Sequence, residues 1–392
     1  MKLLPFLLAL PLVADDLHQK AFVFDAHIHM INRQFYKGGD IGERVTDGQV
    51  DLPRAKEGGV DAMFFTLFVE EQYYPARHET RHTLRLLDLA RRQVAANKDK
   101  IEFAYSAADV TRIAKTGKIA AVLDLEGGYD LDGDLGVLRE LYRSGFRVMM
   151  LPAHNWANNF AESCCSKGPF GGLTEHGKDV VREMNRLGML INVAHASERT
   201  VRDVLAVSTR PIMATHSGLK RFNNLPRTMS DELVKELAAK GGVIGFHSGC
   251  EFHYRPMFDY RTAQAGKAFW DTTAVAKQPK DMSILEVDGL VKNHHPMMGI
   301  TAPDSARCTI DQWLEPVEAV IQLAGEDHVA LGSDLDGGPT FPIGMRDVRD
   351  FPKLTETMQK RGWSETRIRK FLGGNVLRVF GAATDPVGGK GK

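Results

Sequence analysis

Val23–Met30 reads VFDAHIHM, an apolar run that ends in two histidines with one residue between them. The run predicts a strand, and because side chains alternate faces along a strand, His27 and His29 point the same way from its end. That is a geometry for holding a metal ion, although two imidazoles are too few for a tight site. The rest of the chain must supply more ligands and the frame that gathers them.

Short apolar runs recur along the chain: AFVFDA from Ala21, DAMFFTLFV from Asp61, KIAAVLDLE from Lys118, FRVMMLPAH from Phe146, MLINVAH from Met189, PIMATH from Pro211, GVIGFH from Gly242 and HVALGSD from His328. Helical patterns lie between them, among them ETRHTLRLLDLARRQVAANK from Glu79, HGKDVVREMNRLG from His176 with a terminating glycine, and SDELVKELAAKGG from Ser230 with a serine cap. The alternation predicts βα units and a parallel sheet. Periodicity alone also allows an open doubly wound sheet; the placing of the polar residues, described below, favours a closed (β/α)8 TIM barrel. A ninth run, IEFAYS from Ile101, exceeds the count and is placed outside the barrel.

Residues 15–385 are read as one barrel unit with an insertion at about 251–308, where prolines and the strings HYRPMFDY and NHHPMMG break the rhythm. So long a stretch without strand or helix pattern reads as a cover over the mouth after the seventh strand. His294 and His295 within it read as loop surface rather than ligands. Residues 1–14, MKLLPFLLALPLVA, have one positive charge, an apolar run too short to span a bilayer and a small residue before Asp15, the order of a secretory signal cut after Ala14. The expectation is an exported, periplasmic or secreted protein. Residues 386–392 read as a flexible polar tail that is no hydrophobic anchor signal, and no later window is apolar enough for a transmembrane helix.

Lysine plus arginine equals aspartate plus glutamate at 50 each, so the summed charge offers no general attraction to nucleic acid or to an anionic membrane. A homodimer is left open. The four cysteines contain no CxxC pair, which argues against a zinc ribbon or a thioredoxin-like site. In an exported protein Cys250 and Cys308 are candidates for a bridge, whereas the adjacency of Cys164 and Cys165 argues against one between them, and free thiols are equally compatible.

Polar residues end the proposed strands: His27 and His29 after the first, Glu126 after the third, then His154, His195, His216, His247 and Asp334 in turn. Singly, each has a plain structural reading, as a hydrogen-bonded core histidine or a carboxylate capping the next helix. Together they include six of the chain's fourteen histidines, and in a closed barrel all these strand ends face one mouth. Imidazole and carboxylate without thiolate suit zinc, with manganese, iron or cobalt as alternatives. A carboxylate has two oxygens, so Glu126 is the candidate bridge between two divalent cations, and the glycines after it leave room beside it. Two cations sharing a water make it acidic enough for hydrolysis near neutral pH.

The strings LDLEGG (Leu123–Gly128), LGVLRELYRSGFR (Leu135–Arg147), GLTEHGKDVVREMNRLGMLINVAHAS (Gly172–Ser197), THS (Thr215–Ser217), HVALGSDLDGG (His328–Gly338) and GGNVLRVF (Gly373–Phe380) resemble the membrane (renal) dipeptidase family, peptidase family M19, of the amidohydrolase superfamily. The resemblance implies a binuclear zinc barrel of the metal-dependent amidohydrolase type that hydrolyses dipeptides. By position it implies that His27, Glu126, His195 and His216 are metal ligands with Glu126 bridging, that His154 contacts the scissile carbonyl, and that Asp334 handles the proton. Arg227 of LPRTMSDEL matches the arginine that binds the substrate's free carboxylate. One departure stands out: the family has HxD after the first strand, whereas here the second position is His29, which raises the site's charge by one if it is a ligand. The rival readings are hydrolysis of an N-acyl amino acid, lactam or lactone on the same site, and a non-catalytic barrel that binds a ligand or metal.

Overall fold

The computed structural model describes residues 16–128, 134–166, 170–268, 270–294 and 301–385. The leader and its cleavage position, the polar tail and His295 lie outside them. Nine parallel strands form one sheet: β1 (Val23–Ile28), β2 (Val60–Phe68), β3 (Ile101–Phe103), β4 (Ile119–Glu126), β5 (Val148–Met150), β6 (Leu190–Asn192), β7 (Met213–Ser217), β8 (Val243–Phe246) and β9 (Val329–Leu331). Eight run in the order β1-β2-β4-β5-β6-β7-β8-β9. The ring closes just past β9, where Leu335 bridges Ile28 in parallel and Asp334 N–H donates to His27 O at 2.9 Å. Closure therefore sets Asp334 directly beside the histidines of β1.

IEFAYS lies off this ring but joins the sheet. β3 pairs with the lower half of β4, Ile119–Ala121, while β5 takes the upper half at Asp124 and Leu125 of the same edge. The reason is geometric: β5 begins high, so the lower backbone groups of β4 need another partner.

Side chains of the strands fill the interior in alternation. Phe24, Phe64, Ala120, Val148, Leu190, Met213, Val243 and Ala330 form one buried cluster with Val376, Val379 and Phe380 of the last helix, Asn375–Thr384. That helix plugs the end opposite the histidines; its Phe380 packs edge-on against Phe24 and Phe64. A second cluster joins the outer faces of the strands to the surrounding helices. The helices start and stop as their sequences dictate. Thr174 caps Glu175–Leu187 by accepting from Gly177 N–H, and Gly188 ends it with φ of 77°; Ser230 caps Asp231–Ala239.

The stretch after β8 is not structureless, as its prolines suggested. It holds helices Arg255–Ala265, Thr273–Ala276 and Ile284–His294. Pro256 sits in the first turn of the first of these, where a missing N–H costs nothing. Cys250 and Cys308 are disulfide-bonded and clasp the insertion at its base. Arg85 and Tyr73 of the barrel both bond Asp288 of the third insertion helix. Cys164 and Cys165 are also bonded to each other, contrary to the expectation from their adjacency, across the 3.8 Å that separates their Cα atoms. Among the described residues no helix is long and apolar enough to cross a membrane.

Candidate active site

At the C-terminal mouth, Glu126 ends β4 fully buried, and each of its oxygens faces a separate pair of histidines. Oε2 lies 3.0 Å from both His27 Nε2 and His29 Nε2, while Oε1 lies 3.2 Å from His195 Nε2 and 3.5 Å from His216 Nε2. His27, in β1, and His29, at the start of the next helix, do point the same way. The close pass of the backbone explains the glycines after Glu126: a Cβ on Gly127 would meet Val69 O at 2.6 Å and one on Gly128 would meet Leu151 O at 2.3 Å. They allow chain contact rather than leave open room.

The far side of three rings is fixed. His195 Nδ1 meets Asn155 Oδ1 at 2.9 Å, His216 Nδ1 meets Thr215 Oγ1 at 3.1 Å, and His27 Nδ1 meets Thr66 and Thr215 hydroxyls at 3.3 Å. Such partners orient imidazoles so that Nε2 is presented inward. Asp334 Oδ1 lies 2.9 Å from His29 Nε2, and its Oδ2 2.8 Å from His247 Nε2. Gly249 N–H donates to His247 Nδ1 at 2.8 Å, so Nε2 carries the proton that His247 gives to Asp334. His154, His195 and Asp334 all have φ between 55° and 61°, the left-handed region that residues with a Cβ rarely adopt.

Charge is strongly redistributed here. Burial opposes charge on His27 and His29, but the Glu126 carboxylate, joined by Asp124 at His27 and Asp334 at His29, outweighs it and pushes them up to about 9 and about 10. Burial lowers His195 and His216 well below the usual histidine range. It works to raise Glu126 and Asp334, yet the histidines around them hold both well below the usual carboxylate range. A buried carboxylate touching four imidazoles demands positive charge, and divalent cations meet that demand with all four rings neutral. Three groups of donor atoms lie within 4.8 Å of one another: His27, Glu126 and His216; His27, His29 and Asp334; and Glu126, His154 and His195. The donor set fits divalent metal.

A cavity of about 940 Å³ opens above the cluster. Arg227 reaches its wall, fully buried, and burial pushes its guanidinium down to about 10, so it stays cationic at neutral pH. It has no carboxylate partner among the described residues: Nε is unbonded and one terminal nitrogen donates to His216 O at 3.4 Å. The insertion supplies the outer wall with Val275, Met282 and Leu290.

A family model of membrane dipeptidases, peptidase family M19, matches residues 13–387. The chain belongs to the membrane dipeptidase family. Among curated relatives, dipeptidase tcpJ of Claviceps purpurea is 30% identical over 346 residues, covering 86% of this chain and 70% of that protein. Dipeptidase verJ of Clonostachys rogersoniana is 28% identical over 340 residues, 84% of this chain and 74% of the relative. Among solved structures, the probable dipeptidase PvdM of Pseudomonas aeruginosa superposes with a TM-score of 0.76 at 23% identity, over 95% of this chain and 97% of that one. That likeness speaks for the fold, a (β/α)8 barrel.

For a membrane dipeptidase fold read from sequence, the mouth gathers every residue singled out: His27, His29, Glu126, His154, His195, His216, Arg227 and Asp334 all meet at the cluster or line its cavity. Three participants were passed over. His247 ended its strand visibly but was given no role, although it is hydrogen-bonded to Asp334. Asn155 was hidden by its amide, and Glu71 lies beyond β2, a strand whose end offered no candidate ligand.

Proposed function

We propose that this protein is an exported metallo-dipeptidase that hydrolyses the peptide bond of dipeptides with a free C-terminal carboxylate. Glu126 with the pairs His27/His29 and His195/His216 would hold two divalent cations, zinc first, which when bound would supply the Lewis acidity and the acidified water that amide hydrolysis needs. Glu126 spans both positions with one oxygen toward each pair. Asn155 and Thr215 keep His195 and His216 in the tautomer that presents Nε2 inward. Asp334, braced between His29 and His247, takes the proton from the attacking water and returns it to the leaving amine. His154, beside His195 at the cavity wall, contacts the carbonyl oxygen as charge develops on it. Arg227 binds the substrate's terminal carboxylate, which limits substrates to two residues.

One observation carries this reading: a buried carboxylate divided between two histidine pairs shares a cavity with a buried arginine that lacks a carboxylate of its own among the described residues. The paired cysteines support export to an oxidising compartment. The test is turnover by the metal-reconstituted protein on dipeptides of both stereochemistries at the second residue, beside N-acyl amino acids, lactams and lactones. Dipeptides are expected to react fastest. Turnover of an acylated amino acid or a lactone with none of any dipeptide would overturn the assignment.

A further inference from the structure

Glu71 is a cavity-lining carboxylate that stands apart from the ligand cluster. It opens the short turn Glu71–Tyr73 after β2 and shares the cavity wall with His154. Its Oε1 accepts from the ring Nδ1–H of His154 and also from the backbone N–H of Asn155, the latter at 3.1 Å. Ser163 Oγ donates to the His154 carbonyl at 3.0 Å. These bonds surround a residue whose φ is 55°, a conformation that residues with a Cβ rarely adopt. The ring itself lies tilted against Phe68 and His195, with centroids 4.7 Å and 3.9 Å away, and its Nε2 is 3.9 Å from Glu126 Oε1. An imidazole held at Nδ1 by a carboxylate turns Nε2 to the cavity, and a carboxylate in that place supports the doubly protonated ring whose Nε2–H is the donor that a carbonyl oxygen needs.

We propose that Glu71 is the positioning residue of His154: by binding the ring and the next backbone amide with one oxygen, it fixes where Nε2 meets the substrate carbonyl. This rests on His154 being the carbonyl contact. Asn155 extends the effect, because the residue whose amide Glu71 holds also carries the oxygen that meets His195 Nδ1. A carboxylate with a merely structural role would change stability and leave turnover per folded, metal-loaded chain untouched.

The test compares Glu71→Leu, which removes the acceptor at similar size, with Glu71→Gln, whose amide oxygen still accepts from both donors. At matched metal content, Glu71→Leu is expected to lower kcat about 100-fold with KM within about threefold, and Glu71→Gln to recover to within about tenfold of the parent. In a His154→Ala background, Glu71→Leu should add less than about twofold. Unchanged kcat in Glu71→Leu, or an undiminished further loss in the His154→Ala background, would overturn the proposal. A crystal structure of Glu71→Leu reads the same point without turnover: a His154 ring displaced from its place supports positioning, and a ring still in place refutes it. Absence of dipeptide hydrolysis by the parent protein would instead overturn the functional reading, and the structure of the variant would still decide the role of Glu71.

Discussion

His195 Nε2 lies 3.0 Å from His216 Nε2, and both nitrogens face the same oxygen of Glu126. Two neutral imidazole lone pairs so close repel unless a positive charge lies between them, and the partners on Nδ1 leave neither ring free to turn away. Chelation is therefore expected to abolish dipeptide hydrolysis, and zinc or a similar divalent cation to restore it. Glu126→Gln removes the charge that the two proposed cation positions would share. It should cost more in metal affinity than the about 10–100-fold lost with an outer hydrogen-bond partner. Metal analysis of the purified variant alongside its kcat/KM checks this; full activity in metal-free protein would refute the role.

Arg227 gives a prediction about substrate. Its buried guanidinium stays charged at neutral pH and lacks a carboxylate among the described residues. Lysine keeps the charge and loses the planar fork, so Arg227→Lys should lose about 1–3 kcal/mol in kcat/KM on dipeptides while the protein still folds. Parent enzyme should also favour a dipeptide strongly over its C-terminal amide. Equal rates on the acid and the amide would remove this role.

The parts of the fold that sequence revealed are those set by local pattern. β-rich runs marked the strands, and Gly188 and Ser230 marked helix ends because caps and left-handed turns act within a few residues. Chemistry was legible where a candidate ligand ended a strand, as with Glu126 and His216. What escaped depends on contacts distant in the chain. Glu71 meets His154 across 83 residues, Asn155 meets His195 across 40, and β3 takes half an edge of β4 because β5 starts late. The insertion misled through its prolines, one of which starts a helix rather than breaking one.

His253 predicts a pH dependence of stability. Burial pushes it down to about 3 while the ring donates to His247 O at 2.7 Å, and Nδ1 has no partner among the described residues. Above pH 6.5, the ordinary histidine value, it is neutral in both folded and unfolded chains and contributes no slope. Below that, the unfolded chain binds a proton that the folded chain refuses, so stability falls by about 1.4 kcal/mol per pH unit until the folded ring also titrates. His253→Gln keeps a donor for the carbonyl without titrating. Denaturant unfolding at pH 7 and pH 4.5 should show the parent losing about 2–3 kcal/mol more than the variant over that interval. Parallel losses would show that His253 is not held neutral.

His29 is where this chain departs from the HxD of its family, and its surroundings define what the departure does. Its Nε2 touches Glu126 Oε2 at 3.0 Å and Asp334 Oδ1 at 2.9 Å, so a cation at this position would be shared with both carboxylates. His29 Nδ1, in contrast to that of His27, has no hydrogen-bond partner among the described residues, and that side of the ring rests on packing against His27 and Phe68. A ligand oriented by packing alone is less basic and less fixed than one held through its far nitrogen. His29→Asp supplies an anion of the type the family uses there. It should keep both cations and bind them more tightly, because the added negative charge faces them directly. His29→Ala should lose one cation more readily than the parent. If His29 is only a packing residue, both substitutions would lower stability alone, and folded protein of either variant would carry the parent's metal content. Competition with a chelator, followed by metal analysis of the folded fraction, separates the outcomes: tighter retention in His29→Asp with depletion in His29→Ala identifies a ligand, and identical retention in all three proteins shows that His29 is none.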